Sequence, residues 1–129
     1  MLDVALLPGQ YAVCRLAAGA PLPPQLWAAP GDAEVVTVAW TADGISVICP
    51  AGRVPAGADT ETDWCCLRVV GPQNLAVTGT LAALVDPLAA ARVSVIAFAT
   101  YDTDHVLVPA VRLAEATAAL ERAGHRVLR

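Results

Sequence analysis

Between Trp64 and Leu128 the spacing of apolar residues switches repeatedly between a strand-like and a helix-like period. Trp64 to Val70 is rich in β-branched and bulky residues and ends at Gly71-Pro72, which predicts a strand running into a loop. From Thr78 onward Leu81, Leu84, Val85, Leu88 and Ala91 recur at helical spacing, giving one apolar stripe to lay on a sheet. Pro87 stands inside that stripe, where it removes a backbone bond and crowds the preceding turn at about 3 kcal/mol. A kink or a short helix is therefore expected. Val93 to Thr100 is nearly all apolar and predicts a central strand covered on both faces. Tyr101-Asp102-Thr103 makes a turn and Asp104 to Val108 returns. Pro109 then suits a first helical position, Leu113, Thr117 and Leu120 mark a buried face, Gly124 is the stop, and His125 to Leu128 is a last strand. Strand, helix, strand, strand, helix, strand is the ferredoxin-like order, with both helices on one face of an antiparallel sheet.

The first half is less regular. Asp3 to Leu7 and Tyr11 to Leu16 flank Pro8-Gly9 as strands, and the prolines from Pro21 to Pro30 leave room only for a short helix near Gln25. Glu34 to Thr41 and Ile45 to Cys49 form a hairpin across Ala42-Asp43-Gly44, with the glycine expected to supply the positive φ of a tight turn. Ala51 to Asp63 is polar, contains Pro and Gly, and reads as a loop between two lobes. The expected organisation is an α+β chain of two ferredoxin-like lobes side by side, residues 1–62 and 63–129, the first atypical with a shortened helix.

Composition narrows the function. An apolar fraction of 57% with 16% charged residues predicts a well-buried chain with some apolar surface for self-association. The net charge is −4 and the eight cations are scattered arginines, which argues against nucleic acid or an anionic membrane as partner. Cys14, Cys49, Cys65 and Cys66 lack CxxC spacing, and on a strand Cys65 and Cys66 face opposite sides, so buried reduced thiols are expected. No stretch resembles a secretory signal or a spanning helix, and a soluble cytoplasmic protein is the expectation. Trp27, Trp40 and Trp64 are expected as core or interface anchors.

Two places carry polar chemistry. The loop Gly71 to Leu81 leads into a helix N-terminus, whose unpaired N–H groups favour an anion such as a carboxylate, with Thr78 as a natural cap and Gly79 permitting close approach. An ordinary capped helix start would carry the same residues. Thr100, Tyr101, Asp102, Asp104 and His105 crowd the next hairpin, where carboxylates could hold an ammonium or could simply be solvated turn residues. A metal needs converging ligands, and Asp104 and His105 face opposite sides of a strand, so none is expected. Nor is a cofactor, since a phosphate loop is absent. Two histidines, no GxSxG elbow and no base beside a cysteine leave little material for an enzyme.

Four segments carry a family resemblance: YAVCRL (Tyr11 to Leu16), DGISVICP (Asp43 to Pro50), WCCLRVVGPQNLAVTGTLAALVDPLAAA (Trp64 to Ala91) and ATYDTDHVLVP (Ala99 to Pro109). They resemble the ACT domains, and within them the small prokaryotic tandem-ACT proteins related to the eukaryotic cytosolic arginine sensor. The resemblance implies an amino-acid ligand at an ACT–ACT interface. It places Asn74, Leu75, Thr78 and Gly79 in the loop and helix start, Thr100, Tyr101 and Asp104 in the hairpin, and Ser46 and Val47 on the strand of the facing lobe. Val77 stands where the arginine-binding relative carries an acid, so a smaller or apolar amino acid is implied. The expected function is a non-catalytic amino-acid-binding regulator, a homodimer acting on an unknown protein in trans. A ligand-free assembly module and a small enzyme using the YDTDH hairpin are the alternatives.

Overall fold

The computed structural model describes residues 1–71 and 78–129. Its elements in chain order are β1 (Asp3–Leu6), β2 (Tyr11–Leu16), α1 (Pro24–Trp27), β3 (Thr37–Thr41), β4 (Gly44–Pro50), β5 (Asp59–Val69), α2 (Thr80–Ala90), β6 (Ile96–Ala99), β7 (Asp104–Pro109), α3 (Leu113–Arg122) and β8 (Arg126–Leu128). Single 3-10 turns follow β4 and β7 at Ala51–Arg53 and Ala110–Arg112. The fold is α+β, with ferredoxin-like order.

The chain divides into two compact units, Pro8–Asp63 and Met1–Leu7 with Trp64–Arg129. The division after Asp63 falls one residue beyond the expected one. The first strand, expected in an N-terminal lobe of 1–62, belongs instead to the C-terminal unit, where β1 pairs antiparallel with β5 and parallel with β8. The sheet of that unit runs β6-β7-β5-β1-β8. Strands β5, β6, β7 and β8 with α2 and α3 keep the expected βαββαβ order, and β1 is inserted as a fifth strand between β5 and β8.

Under the helices lies one core, in which Leu67, Leu84, Leu88, Val106, Val108 and Leu120 are wholly buried. Each such side chain contributes about 1.5–3 kcal/mol. Leu81, the outermost residue of the predicted α2 stripe, is exposed. The apolar run before Thr100 becomes strand only at Ile96–Ala99 and lies at the sheet edge, half exposed. The strand buried on both faces is β7, where His105, Val106, Leu107 and Val108 are all buried, and β5 and β6 pair with its two edges. Pro109 ends β7 rather than starting a helix, and α3 begins at Leu113 after the 3-10 turn. Gly124 ends α3 as expected, at φ +95°, and His125 N–H reaches back to Leu120 C=O at 3.0 Å.

In the unit Pro8–Asp63 the strand order is β3-β4-β2-β5, again that of a ferredoxin-like lobe. Its first helix is the four-residue α1, as expected, and its second is reduced to the Ala51–Arg53 turn. Arg53 on that turn donates to the carbonyls of Gln25, Ala28 and Ala29, closing the end of a helix too short to satisfy itself. Cys14, Leu26, Ile45, Val47 and Cys49 form the core. Glu34, expected in a strand, sits before β3 and accepts the Gly31 N–H at 2.9 Å. Gly44 is not in the turn but opens β4 at φ +156°, where a Cβ would lie 3.1 Å from Leu16 O. Trp27 and Trp40 are exposed, not core.

The expected loop Ala51–Asp63 is strand from Asp59 onward. Asp63 interrupts that strand at φ +67°, a left-handed conformation that costs an L-residue about 1–2 kcal/mol and that Asp tolerates better than most. Asp63→Val should therefore lower stability by about 1–2 kcal/mol in urea denaturation, while Asp63→Gly is tolerated. Equal midpoints for Asp63→Val and wild type would show that the chain relaxes this residue at no cost.

Candidate functional site

In the C-terminal unit the connection from β5 to α2 and the turn between β6 and β7 lie at the same end of the sheet. Antiparallel pairing sets Arg68 opposite His105, and the Thr103 hydroxyl donates to Val69 C=O at 2.9 Å. The turn is closed by Thr100 N–H to Thr103 C=O at 3.0 Å. Thr100 Oγ1 accepts the N–H groups of Asp102 and Thr103 at 3.3 and 3.4 Å, so this hydroxyl is used by the turn itself. Tyr101 projects into solvent and Asp104 is half-buried.

At the other side of this end, Gly79 is the N-cap of α2, with φ +85°, and supplies no side-chain cap. Thr78, expected as the cap, precedes it and is exposed. Among the described residues the first-turn N–H groups of α2 therefore have no side-chain acceptor, a feature suited to an anion. A Cβ at Gly79 would meet nothing within 4 Å, so the glycine serves its positive φ rather than a close approach. Asn74 and Leu75, with Val77, lie outside the described residues.

Ser46 and Val47 belong to the other unit and point to opposite faces of β4. Val47 is buried in the core, and its backbone lies in register with both Val38 and Cys14. Ser46 is exposed and borders a groove of about 500 Å³ with Arg15, Asp59 and Glu61, in which Arg15 and Asp59 pair at 2.9 Å.

Two histidines carry weight that their spacing in sequence does not show. His125 is buried; its Nδ1 accepts the Leu2 N–H at 3.0 Å and its Nε2 lies 2.8 Å from Ala83 C=O. Both contacts are met only by the neutral tautomer with its proton on Nε2. Ala83 is four residues before Pro87, so this ring donates to the carbonyl that the proline leaves open. His105 is buried and stacks on Phe98, with centroids 4.9 Å apart and ring planes 16° apart. Burial lowers its pKa, Arg68 lowers it further, and the Thr103 backbone and Asp104 carboxylate oppose the shift.

The thiols are poor nucleophiles. Burial pushes Cys66 up to about 12 and Cys49 to about 11, and raises Cys14 and Cys65 as well. Cys65 and Cys66 face opposite sides of β5, as expected, and all four cysteines are free. Among the described residues no three acidic, cysteine or histidine side chains gather as metal ligands, and no helix is long and apolar enough to cross a membrane.

These features define an α+β, ferredoxin-like protein whose polar groups collect at one end of a five-stranded sheet. Residues 59–122, just under half of the chain, match the family model described as ACT domain. The chain is similar to the crystal structure of the Agrobacterium tumefaciens protein Atu0741, at 29% identity and a TM-score of 0.86, over 98% of this chain and 92% of that one. It is also similar to the Vibrio cholerae protein VC0802, described as of unknown function and a possible transport protein. There the identity is 21% and the TM-score 0.73, over 95% and 89% of the two chains. The ligand-free regulatory subunit of aspartate kinase from Thermus thermophilus shares the fold, at 12% identity and a TM-score of 0.62 over 93% and 96%. No curated protein matches the sequence.

Proposed function

We propose that the protein is a non-catalytic regulator that binds a free amino acid at an ACT–ACT interface. The observation that carries this reading is the placement, within the segment that matches the ACT domain family model, of a helix N-terminus with no side-chain acceptor among the described residues and a polar hairpin turn at one end of the sheet. The main-chain N–H groups after Gly79 suit the ligand carboxylate, and Asp104 suits its ammonium. Ser46, Asn74, Leu75, Thr78, Thr100 and Tyr101 complete the proposed lining, with Val47 confined to a core role beneath Ser46. Neither cofactor nor metal enters this reading.

In this scheme two ACT-like lobes, 1–62 and 63–129 with β1 exchanged, form each chain, and two chains form a cytoplasmic dimer. The ligand favours the packing that completes its pocket, and a protein partner in trans reads that packing. The likeness to an aspartate kinase regulatory subunit supports a regulatory role. The raised thiols and the shortage of base and nucleophile pairs support a protein without catalysis.

A thermal-shift screen against the standard amino acids tests it. A ligand at 100 times its Kd adds about 2.7 kcal/mol, which moves the midpoint by several degrees. Asp104→Ala should then weaken that ligand by about tenfold or more, the loss of one charge-assisted hydrogen bond. A flat screen with the fold intact would leave the second reading, an assembly module, which is favoured by Trp27 and Trp40 at 69% and 65% exposure.

A further inference from the structure

Four arginines have carboxylate partners: Arg15, Arg53, Arg112 and Arg126 pair with Asp59, Glu34, Glu115 and Asp3. Of the remaining four, Arg92, Arg122 and Arg129 are exposed, and only Arg68 is half-buried. Among the described residues its guanidinium makes no hydrogen bond or ion pair. The segment 72–77 contains no acidic residue that could supply one. Directly opposite Arg68 in register stands His105, 3% exposed, whose Nδ1 is buried without a hydrogen-bond partner. Phe98 follows in register on β6 and stacks on the imidazole.

Residues opposite one another in an antiparallel pair share a face, with Cβ atoms about 4.5–5.5 Å apart. Phe98, His105 and Arg68 thus form one row across β6, β7 and β5. The row lies on the face opposite the helices, because Val106 and Val108, one and three positions along β7, are in the core beneath them. A half-buried cation without a partner among the described residues is costly to keep. A half-buried guanidinium with no carboxylate partner among the described residues is complementary to an anion.

We infer that Arg68 forms a carboxylate-binding site beside His105 on this face of the C-terminal unit. One guanidinium fork matches the two oxygens of a carboxylate, and the His105 ring, opposite Arg68 in register, reports on its occupancy. One positive charge balances a monoanion; a phosphate would leave net negative charge among the buried, apolar Leu107 and Cys66 of the same face. On the amino-acid reading above, and only in naming the ligand resting on it, Arg68 takes the carboxylate of the bound amino acid. The helix N-terminus, on the other face of the sheet, is then not the carboxylate contact.

The chain has two histidines, so 15N-histidine NMR resolves each ring. Sodium acetate and glycine should move the His105 ring resonances saturably and leave His125 in place. Sodium chloride and methylammonium chloride at matched ionic strength should not. Arg68→Gln should weaken acetate by about tenfold or more, and Arg68→Lys, which keeps charge and stem but not the fork, by less. No saturable His105 response to acetate in the wild type, or an equal response in folded Arg68→Gln, would overturn the site. An acetate response with a flat amino-acid thermal screen would keep the anion site and remove the amino-acid reading. Amino-acid stabilisation that is unchanged in Arg68→Gln would keep that reading and remove this site.

Discussion

His125→Phe is expected to lower the unfolding free energy by about 2–3 kcal/mol, although His125 lies in no proposed ligand site. The side chain joins three parts of the C-terminal unit: Leu2 before β1, Ala83 in α2 and its own position before β8. Phenylalanine fills the space but strands one N–H and one C=O, each worth about 1–3 kcal/mol when buried, and these two are only part-buried. Pro87 makes the mechanism testable. In Pro87→Ala the new residue carries an N–H that can return to Ala83 C=O, so one of the two groups no longer depends on the histidine. The cost of His125→Phe should then fall by about 1 kcal/mol in the Pro87→Ala background. Urea denaturation of the four proteins measures that difference. Additive effects within about 0.5 kcal/mol would mean that the imidazole is not compensating the proline.

Between pH 7.5 and 5 the protein should lose stability as the pH falls, through His105. Its folded pKa lies below the ordinary value of 6.5, chiefly because burial disfavours the imidazolium and also because Arg68 repels it. The unfolded chain therefore binds a proton more readily than the native one as the pH drops through about 6.5. Stability is fully present above that value, declines at up to about 1.4 kcal/mol per pH unit below it, and levels off once the folded state is protonated too. His105→Gln should flatten the profile. Arg68→Gln should narrow the window, since it removes the repelling charge and leaves burial. A wild-type profile parallel to that of His105→Gln across the range would exclude His105 as the cause. Glu34, lowered by its Gly31 and Arg53 contacts, titrates below this window.

The elements that could be foreseen are those whose evidence is local. β7, α3 and the Gly124 stop follow from period and punctuation within about fifteen residues, and α1 is short because proline leaves it no room. Period alone could not tell the edge strand β6 from the central strand β7, since both are apolar and only their neighbours differ. Asp59–Asp63 was hidden for the opposite reason: its polar residues carry no apolar alternation, yet its backbone continues β5. In the candidate site, the Thr100 to Asp104 turn and the Gly79 helix start are legible. That Thr100 spends its hydroxyl on the turn, and that Val47 is held in a core, depend on packing.

From the amino-acid order alone follow the α+β class, the βαββαβ run after Trp64 and the polar turn, because each rests on hydrophobic period, turn chemistry and chain stiffness over short spans. Only the tertiary structure decides that β1 joins the C-terminal unit and that His125 closes the gap left by Pro87. It alone sets Arg68, without a partner among the described residues, opposite a buried His105. Pairing register and side-chain contact across 37 to 123 positions of chain are settled by the packing of the whole unit, and no local pattern encodes them.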